Sequence, residues 1–257
     1  MTGGEVEPAD GPPVDLREMT EARIRLGRFG SGVPTHAAQS FLLDHARARQ
    51  AVWSEVDWHA LRQSLADFGL PMIDVESAAP DRATYIRRPD LGRQLSAASA
   101  AKLAERQHEA DVVLLVADGL SASAVEINAA VLVRTIVRRL RESGLALAPL
   151  VLARQARVAL GDPVGEALGA RIAIILIGER PGLTAADSLG AYVTFSPKPG
   201  TPDSRRNCIS NIRAGGLGID TAADAVLRLV TDMLRTGISG VGLKDAAAAL
   251  PPATGLR

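Results

Sequence analysis

The chain has 257 residues, with 29 basic and 29 acidic side chains and a formal net charge of zero. This length suits one large domain or a domain with an appended arm. The balanced charge argues against a strongly basic nucleic-acid surface, and one cysteine excludes a disulfide framework or a zinc site with several thiolates of this chain. No apolar run reaches the length of a membrane span. We therefore expect a globular protein of the cytoplasm that binds neither nucleic acid nor membrane.

The N-terminal third predicts a tail followed by a helical arm. Residues 1–20 are acidic and rich in glycine and proline, which is typical of a disordered tail and not of a secretory signal or a transit peptide. A basic, glycine-rich turn follows, and Thr35 then begins a helix over 35–52. A second helix follows Asp57 and ends at Gly69. We assign residues 21–70 to an N-terminal helical arm.

The middle of the chain alternates buried strands with helices. We predict strands over 111–117, 147–152, 171–177 and 192–195, and helices over 121–143, 162–168 and 221–236. Apolar strands that alternate with helices favour an α/β fold in which helices cover both faces of a parallel sheet. This domain spans 71–245, and a C-terminal tail spans 246–257.

Acidic residues follow two of the predicted strands. Because ligands bind beyond the C-terminal ends of parallel strands, we examined the residues that follow each strand. Asp118 follows the first strand and Glu179 the third, and a flavodoxin-like strand order would place them on either side of one crevice. Spacing alone favours structural roles, in which Asp118 caps the next helix and Glu179 pairs with an arginine.

Familiar catalytic motifs are incomplete in this chain. The segment from Gly119 to Ser123 lacks the second glycine of a nucleophile elbow, and all four histidines precede it. The segment from Gly216 to Thr221 lacks the third glycine of a dinucleotide fingerprint. The histidines share no metal-ligand spacing. The residues therefore predict a ligand-binding α/β domain with little catalytic equipment and no metal site.

Several long motifs of unusual composition resemble one known family. These are RLGRFGSGVPT (25–35), VADGLSASAV (116–125), RVALGD (157–162), IGERPGLTAADSLGAY (177–192), RNCISNIR (206–213) and GVGLKD (240–245). The chain closely resembles the small (light) subunit of ethanolamine ammonia-lyase over residues 20 to 245.

The resemblance implies a fold, a partner and a cofactor. It implies a Rossmann-like domain with a mostly parallel sheet, which covers the mouth of a TIM-barrel large (heavy) subunit. Base-on adenosylcobalamin would lie between the two, in an assembly of six heavy–light pairs. The implied enzyme is a carbon–nitrogen lyase that converts ethanolamine to acetaldehyde and ammonia by radical chemistry, which the cofactor carries. The complex would be cytoplasmic and, in some hosts, enclosed in a bacterial microcompartment.

The resemblance also assigns cofactor-binding residues. The family's corrinoid contacts fall on Val158, Glu179 and Cys208, each of which matches its motif. Val158 would supply an apolar wall, and Glu179 would accept hydrogen bonds from corrin amides. We expect Cys208 to be a small contact residue and neither a cobalt ligand nor a redox thiol, since free cysteine behaves mainly as a small hydrophobe. No catalytic residue is expected on this chain.

One segment imitates a different cobalamin motif. Asp57-Trp58-His59 matches the start of Asp-x-His-x-x-Gly, but Arg62 stands at the glycine position. We therefore interpret His59 as an ordinary surface residue of a helix. Two other hypotheses remain open: a stand-alone cobalamin- or nucleotide-binding carrier or sensor, and a structural partner that solubilises or positions the large subunit.

Overall fold

The architecture was obtained from a computed structural model, which describes residues 32–106 and 109–249. The predicted tail 1–20, the basic turn up to residue 31 and most of the predicted C-terminal tail (250–257) lie outside the described residues. The chain divides into two compact units, Met1–Ala46 and Arg47–Arg257. In the first unit, the described residues form the start of one helix, on which the rings of Phe41 and His45 stack one turn apart.

The helices and strands follow in this order. The described elements are α1 (Thr35–Trp53), α2 (Trp58–Ser64), β1 (Met72–Glu76), α3 (Arg82–Arg87), α4 (Ala97–Ala104), β2 (Ala110–Ala117), α5 (Ala122–Glu142), β3 (Leu150–Arg154), α6 (Gly161–Ala167), β4 (Ala170–Gly178), β5 (Leu189–Phe195), β6 (Arg206–Ile212), α7 (Ile219–Thr236) and α8 (Leu243–Ala248). The predicted helices over 35–52, 121–143, 162–168 and 221–236 are confirmed within one or two residues.

All six strands form one sheet in the order β1-β3-β2-β4-β5-β6. The first four strands of that order are parallel, whereas β5 is antiparallel to β4 and β6 is antiparallel to β5. The prediction of an α/β fold with a mostly parallel sheet is therefore confirmed. The predicted strand over 192–195 exists as β5, but it returns from β4 as a hairpin. Strands β1 and β6 were missed, because both mix polar and apolar residues.

Helices cover both faces of the sheet. One core lies between the sheet and helices α2, α5 and α7, and the other lies between the sheet and helices α4 and α6. Strands β2 and β4 are buried almost throughout, which explains their continuous apolar sequence. Asp57 caps α2, since its side chain accepts a hydrogen bond from the amide of Ala60, and Leu61 of this helix is buried. His59 is exposed on this helix, as expected.

Candidate cofactor site at the carboxyl ends of the strands

A cavity of about 400 Å³ opens where β2 and β4 end side by side. Its walls include Tyr85, Leu120, Arg157, Val158, Glu179 and Tyr192. The predicted adjacency of the first and third predicted strands is confirmed, because Ala117 of β2 pairs with Ile177 of β4. The site therefore lies where an α/β sheet ordinarily binds its ligand.

Asp118 binds the backbone next to this cavity. Its carboxylate accepts hydrogen bonds from the backbone amides of Gly119, Gln155 and Ala156 at 2.9, 2.9 and 3.0 Å. The Arg82 guanidinium lies 3.5 Å away, and only 5 % of Asp118 is exposed. Burial raises the pKa of Asp118, and the amides and Arg82 oppose that shift. All of these partners belong to the protein itself.

The predicted role of Asp118 as a helix cap is wrong. Ser121 caps α5, since its hydroxyl accepts from the amide of Ala124. Asp118 instead binds the turn that follows β3, in which Gln155 adopts a left-handed φ of 51°. This turn leads directly to Val158. Asp118 thereby fixes the backbone that presents Val158 to the cavity.

Val158 begins a short 3-10 turn (Val158–Leu160) and is half-buried against the core beneath α4 and α6. Arg157 lies beside it, stacked over the ring of Tyr85 with its guanidinium carbon 4.3 Å from the ring centroid. The Tyr85 hydroxyl donates to the carbonyl of Ala156 at 2.9 Å. The Nε atom of Arg157 is buried and has no hydrogen-bond partner among the described residues.

Glu179 follows β4 and is held by hydroxyl and amide donors. Among residues 32–106 and 109–249 it forms no ion pair with an arginine, contrary to the predicted pairing. The Ser188 hydroxyl donates to Oε2 at 2.5 Å, and the Ser210 hydroxyl donates to Oε1 at 2.6 Å. The amide of Asn211 also donates to Oε2, at 3.1 Å. These donors come from β6 and from the residue before β5. Glu179 is thus fixed by two neighbouring strands while it lines the cavity.

Cys208 lies on the edge strand β6, outside the set of residues that line the cavity. It lies directly opposite Tyr192 in the β5–β6 pairing, so the two side chains share one face of the sheet. Cys208 is exposed and also borders a second depression along β6. Burial by the surrounding protein and the charge of Glu179 raise the pKa of the Cys208 thiol, and the nearby Tyr192 hydroxyl acts in the opposite direction. A thiol of this kind is a weak ligand and a weak nucleophile at neutral pH.

The structure therefore brings two of the three predicted residues into one cavity and the third next to its wall, although all three are distant in sequence. Val158 and Glu179 line the cavity, and Cys208 adjoins it through Tyr192. Sequence reasoning missed Tyr85, Arg157 and Tyr192 as site residues. The signal for Tyr192 was its place in a motif that also contains Glu179, whereas no local signal marks Tyr85, which reaches the site from α3.

Within residues 32–106 and 109–249, no group of three or more histidine, cysteine, aspartate or glutamate side chains is placed to hold a metal ion. No helix in this part of the chain is long and apolar enough to cross a membrane.

The protein is of the α/β class, with a mostly parallel sheet and a cavity at the carboxyl ends of two neighbouring strands. Comparison with known proteins identifies its family. The family model described as ethanolamine ammonia-lyase light chain matches residues 11–244, so the chain belongs to this family.

Curated relatives agree over nearly the whole length of the chain. The small subunit of ethanolamine ammonia-lyase from Rhodopseudomonas palustris is 49% identical over 90% of this chain and 89% of its own length. The corresponding subunit from Bradyrhizobium diazoefficiens is 48% identical over 94% and 93%, and that from Azotobacter vinelandii is 47% identical over 93% and 90%. The printed names describe each of these relatives as the small subunit of an enzyme.

Proposed function

We propose that this chain, as the small subunit of ethanolamine ammonia-lyase, closes one side of an adenosylcobalamin site at its interface with the large subunit. The complex would convert ethanolamine to acetaldehyde and ammonia, with the substrate held by the large subunit. The observation that supports this most is that Val158 and Glu179, from two separate motifs, line one cavity, while Cys208, from a third motif, pairs with Tyr192 of its wall. A ligand-binding edge, and not a set of catalytic groups, is what this chain contributes.

The chemistry of the cavity suits a large ligand that is apolar at its centre and carries many amides. Val158, Leu120 and Ile177 offer apolar wall, and Glu179 offers carboxylate oxygens to amide donors. The buried, unpartnered Nε of Arg157 is a donor that a ligand carbonyl or a water would satisfy. A cavity of about 400 Å³ that opens to the surface covers only part of a corrinoid, which fits a site completed by a partner subunit.

When bound, adenosylcobalamin supplies the radical chemistry that rearranges the substrate. The residues of this chain orient the cofactor and keep water away. Val158 and Leu120 exclude water by apolar contact, while Glu179 fixes the ligand's rotation through directional hydrogen bonds. Keeping water out of such a site prevents side reactions of reactive intermediates.

Reconstitution tests the proposed division of labour. Ethanolamine deamination with adenosylcobalamin is measured for this chain alone, the cognate large chain alone and the mixture. We expect activity only in the mixture. Cobalamin binding by this chain alone, with no activity in a mixture of folded, associated subunits, would instead favour a stand-alone carrier or sensor.

A matched pair of variants tests the site itself. In Glu179→Gln, one acceptor becomes a donor, and we expect the dissociation constant for cobalamin in the assembled complex to rise about 10-fold, near 1.4 kcal/mol. Glu166→Gln, on an exposed position of α6, is the control and is expected to bind like the unmodified complex. Both variants are expected to co-purify with the large subunit. Equal cobalamin affinity for the two variants would remove Glu179 from the site.

A further inference from the structure

A β-bulge in the edge strand β6 lies next to the carboxylate of Glu179. Strand β6 contains a β-bulge opposite Gly190, because Ala191 pairs with Ile209 while Leu189 pairs with Ile212. Two residues of β6 therefore face one residue of β5. A bulge bends the strand and redirects a side chain.

The two bulge residues supply donors to Glu179. They are Ser210, whose hydroxyl donates to Oε1 at 2.6 Å, and Asn211, whose amide donates to Oε2 at 3.1 Å. Asn211 has a left-handed φ of 59°, a conformation that asparagine tolerates better than most residues. Its carbonyl accepts from the amide of Leu217 at 2.7 Å, which holds the bulge in this conformation.

The neighbouring strand completes the enclosure. Ser188, just before β5, donates to Oε2 at 2.5 Å and is buried. Gly190 leaves the space in which the carboxylate lies, since a Cβ there would stand 2.9 Å from Oε1. Three donors occupy most of the acceptor positions of one carboxylate, which has about four. The orientation of the remaining acceptor position is therefore set by Ser188, Ser210 and Asn211.

We propose that Ser210 and Ser188 are positioning residues for the cofactor site, which act on the ligand by holding the Glu179 carboxylate in one rotamer. This proposal rests on the proposed function and adds to it the residues on which the Glu179 contact depends. Ser210 is also two residues from Cys208 on β6, so its hydrogen bond links the Glu179 side chain to the strand that carries Cys208.

The experiment uses the co-expressed complex of both subunits and measures the dissociation constant for adenosylcobalamin by equilibrium dialysis. Ser210 is exposed, so its replacement is expected to leave the melting temperature of the complex unchanged. We expect Ser210→Ala to weaken binding about 5-fold. Ser210→Thr keeps the hydroxyl and is expected to restore affinity. Ser204→Ala, at an exposed serine outside the cavity, is the control.

A double-variant cycle separates a positioning role from a general structural one. Once Glu179→Gln is present, adding Ser210→Ala is expected to cause no further loss, because the hydroxyl acts only through the carboxylate. Additive losses, or full affinity in Ser210→Ala, would overturn the positioning role. If Glu179→Gln alone left cobalamin affinity unchanged, the proposed site itself would fail. Ser188→Ala is measured in parallel, and it too is expected to lose its effect beside Glu179→Gln.

Discussion

Two acidic residues follow neighbouring parallel strands, and the protein uses them in opposite ways. Asp118, after β2, is buried and accepts from three backbone amides, with Arg82 beside it. Glu179, after β4, is half-buried, accepts mainly from serine hydroxyls and lines a cavity. Main-chain amides and Arg82 make the first carboxylate part of the fold. Two serine hydroxyls and the Asn211 amide hold the second at the wall of the cavity. The two carboxylates therefore differ in burial and in the share of side-chain donors, and our proposal gives a ligand-binding role to Glu179 alone.

The largest expected effect is on stability, at Asp118. In Asp118→Asn, the new amide group would face backbone N–H donors, and Arg82 would lose its buried counter-charge. We expect a loss of about 3 kcal/mol in the free energy of unfolding, the lower end of the range for breaking a buried ion pair. Glu179→Gln is the matched change and is expected to cost less than about 1 kcal/mol. Urea unfolding of both full-length variants measures the difference, and equal losses would contradict the comparison.

Substitutions at two glycines, one next to Asp118 and one beside Glu179, test the same contrast between the two carboxylates. Gly119 has a φ of 59°, and a Cβ there would lie 2.1 Å from the carbonyl oxygen of Gly178. Gly119→Ala is therefore expected to destabilise the fold by at least about 2 kcal/mol. At Gly190, a Cβ would instead meet the Glu179 carboxylate. Gly190→Ala is expected to lower cobalamin affinity roughly 5-fold, about 1 kcal/mol, and to unfold nearly as the unmodified chain does. Urea unfolding and cobalamin titration of both variants measure this contrast, and it fails if Gly190→Ala is the less stable variant.

The smallest effect concerns the thiol beside Glu179. Desolvation by the surrounding protein raises the pKa of Cys208, so less of this thiol is ionised at a given pH than in a free cysteine. The alkylation rate of Cys208 by iodoacetamide, followed by peptide mass spectrometry against pH, is expected to reach half its maximum at a higher pH than in a short cysteine peptide. The Tyr192 hydroxyl lowers this pKa, so Tyr192→Phe is expected to move the midpoint higher still. A midpoint at or below that of the peptide would indicate a reactive cysteine.

Periodicity was sufficient to predict the buried part of the fold. Helix α5 and strands β2 and β4 have apolar patterns that only a covered sheet explains, and all three are present as predicted. Strand β6 has alternating polar residues and a bulge, so its sequence resembles a loop. The hairpin of β4 and β5 was also missed, because an antiparallel return leaves no signal in the composition of either strand.

In the candidate site, the sequence predicted the main residues but not their hydrogen-bond partners. Val158, Glu179 and Cys208 were proposed from motifs, and the fold places two of them in one cavity and the third next to its wall. The predicted hydrogen-bond partners of Asp118 and Glu179 were wrong, because the real partners depend on which strands are neighbours in the sheet. The serine at 210 faces Glu179 only because of a bulge that local sequence does not reveal.

The antiparallel return of β5 has a consequence for the order in which the site forms. Glu179 and Ser188 are nine residues apart, joined by the turn of one hairpin, whereas Ser210 is 31 residues from Glu179. Closing a longer loop costs more chain entropy, and local pairings form sooner. We therefore expect the contact between Glu179 and Ser188 to form before the contact between Glu179 and Ser210, which requires β6 to pair with β5.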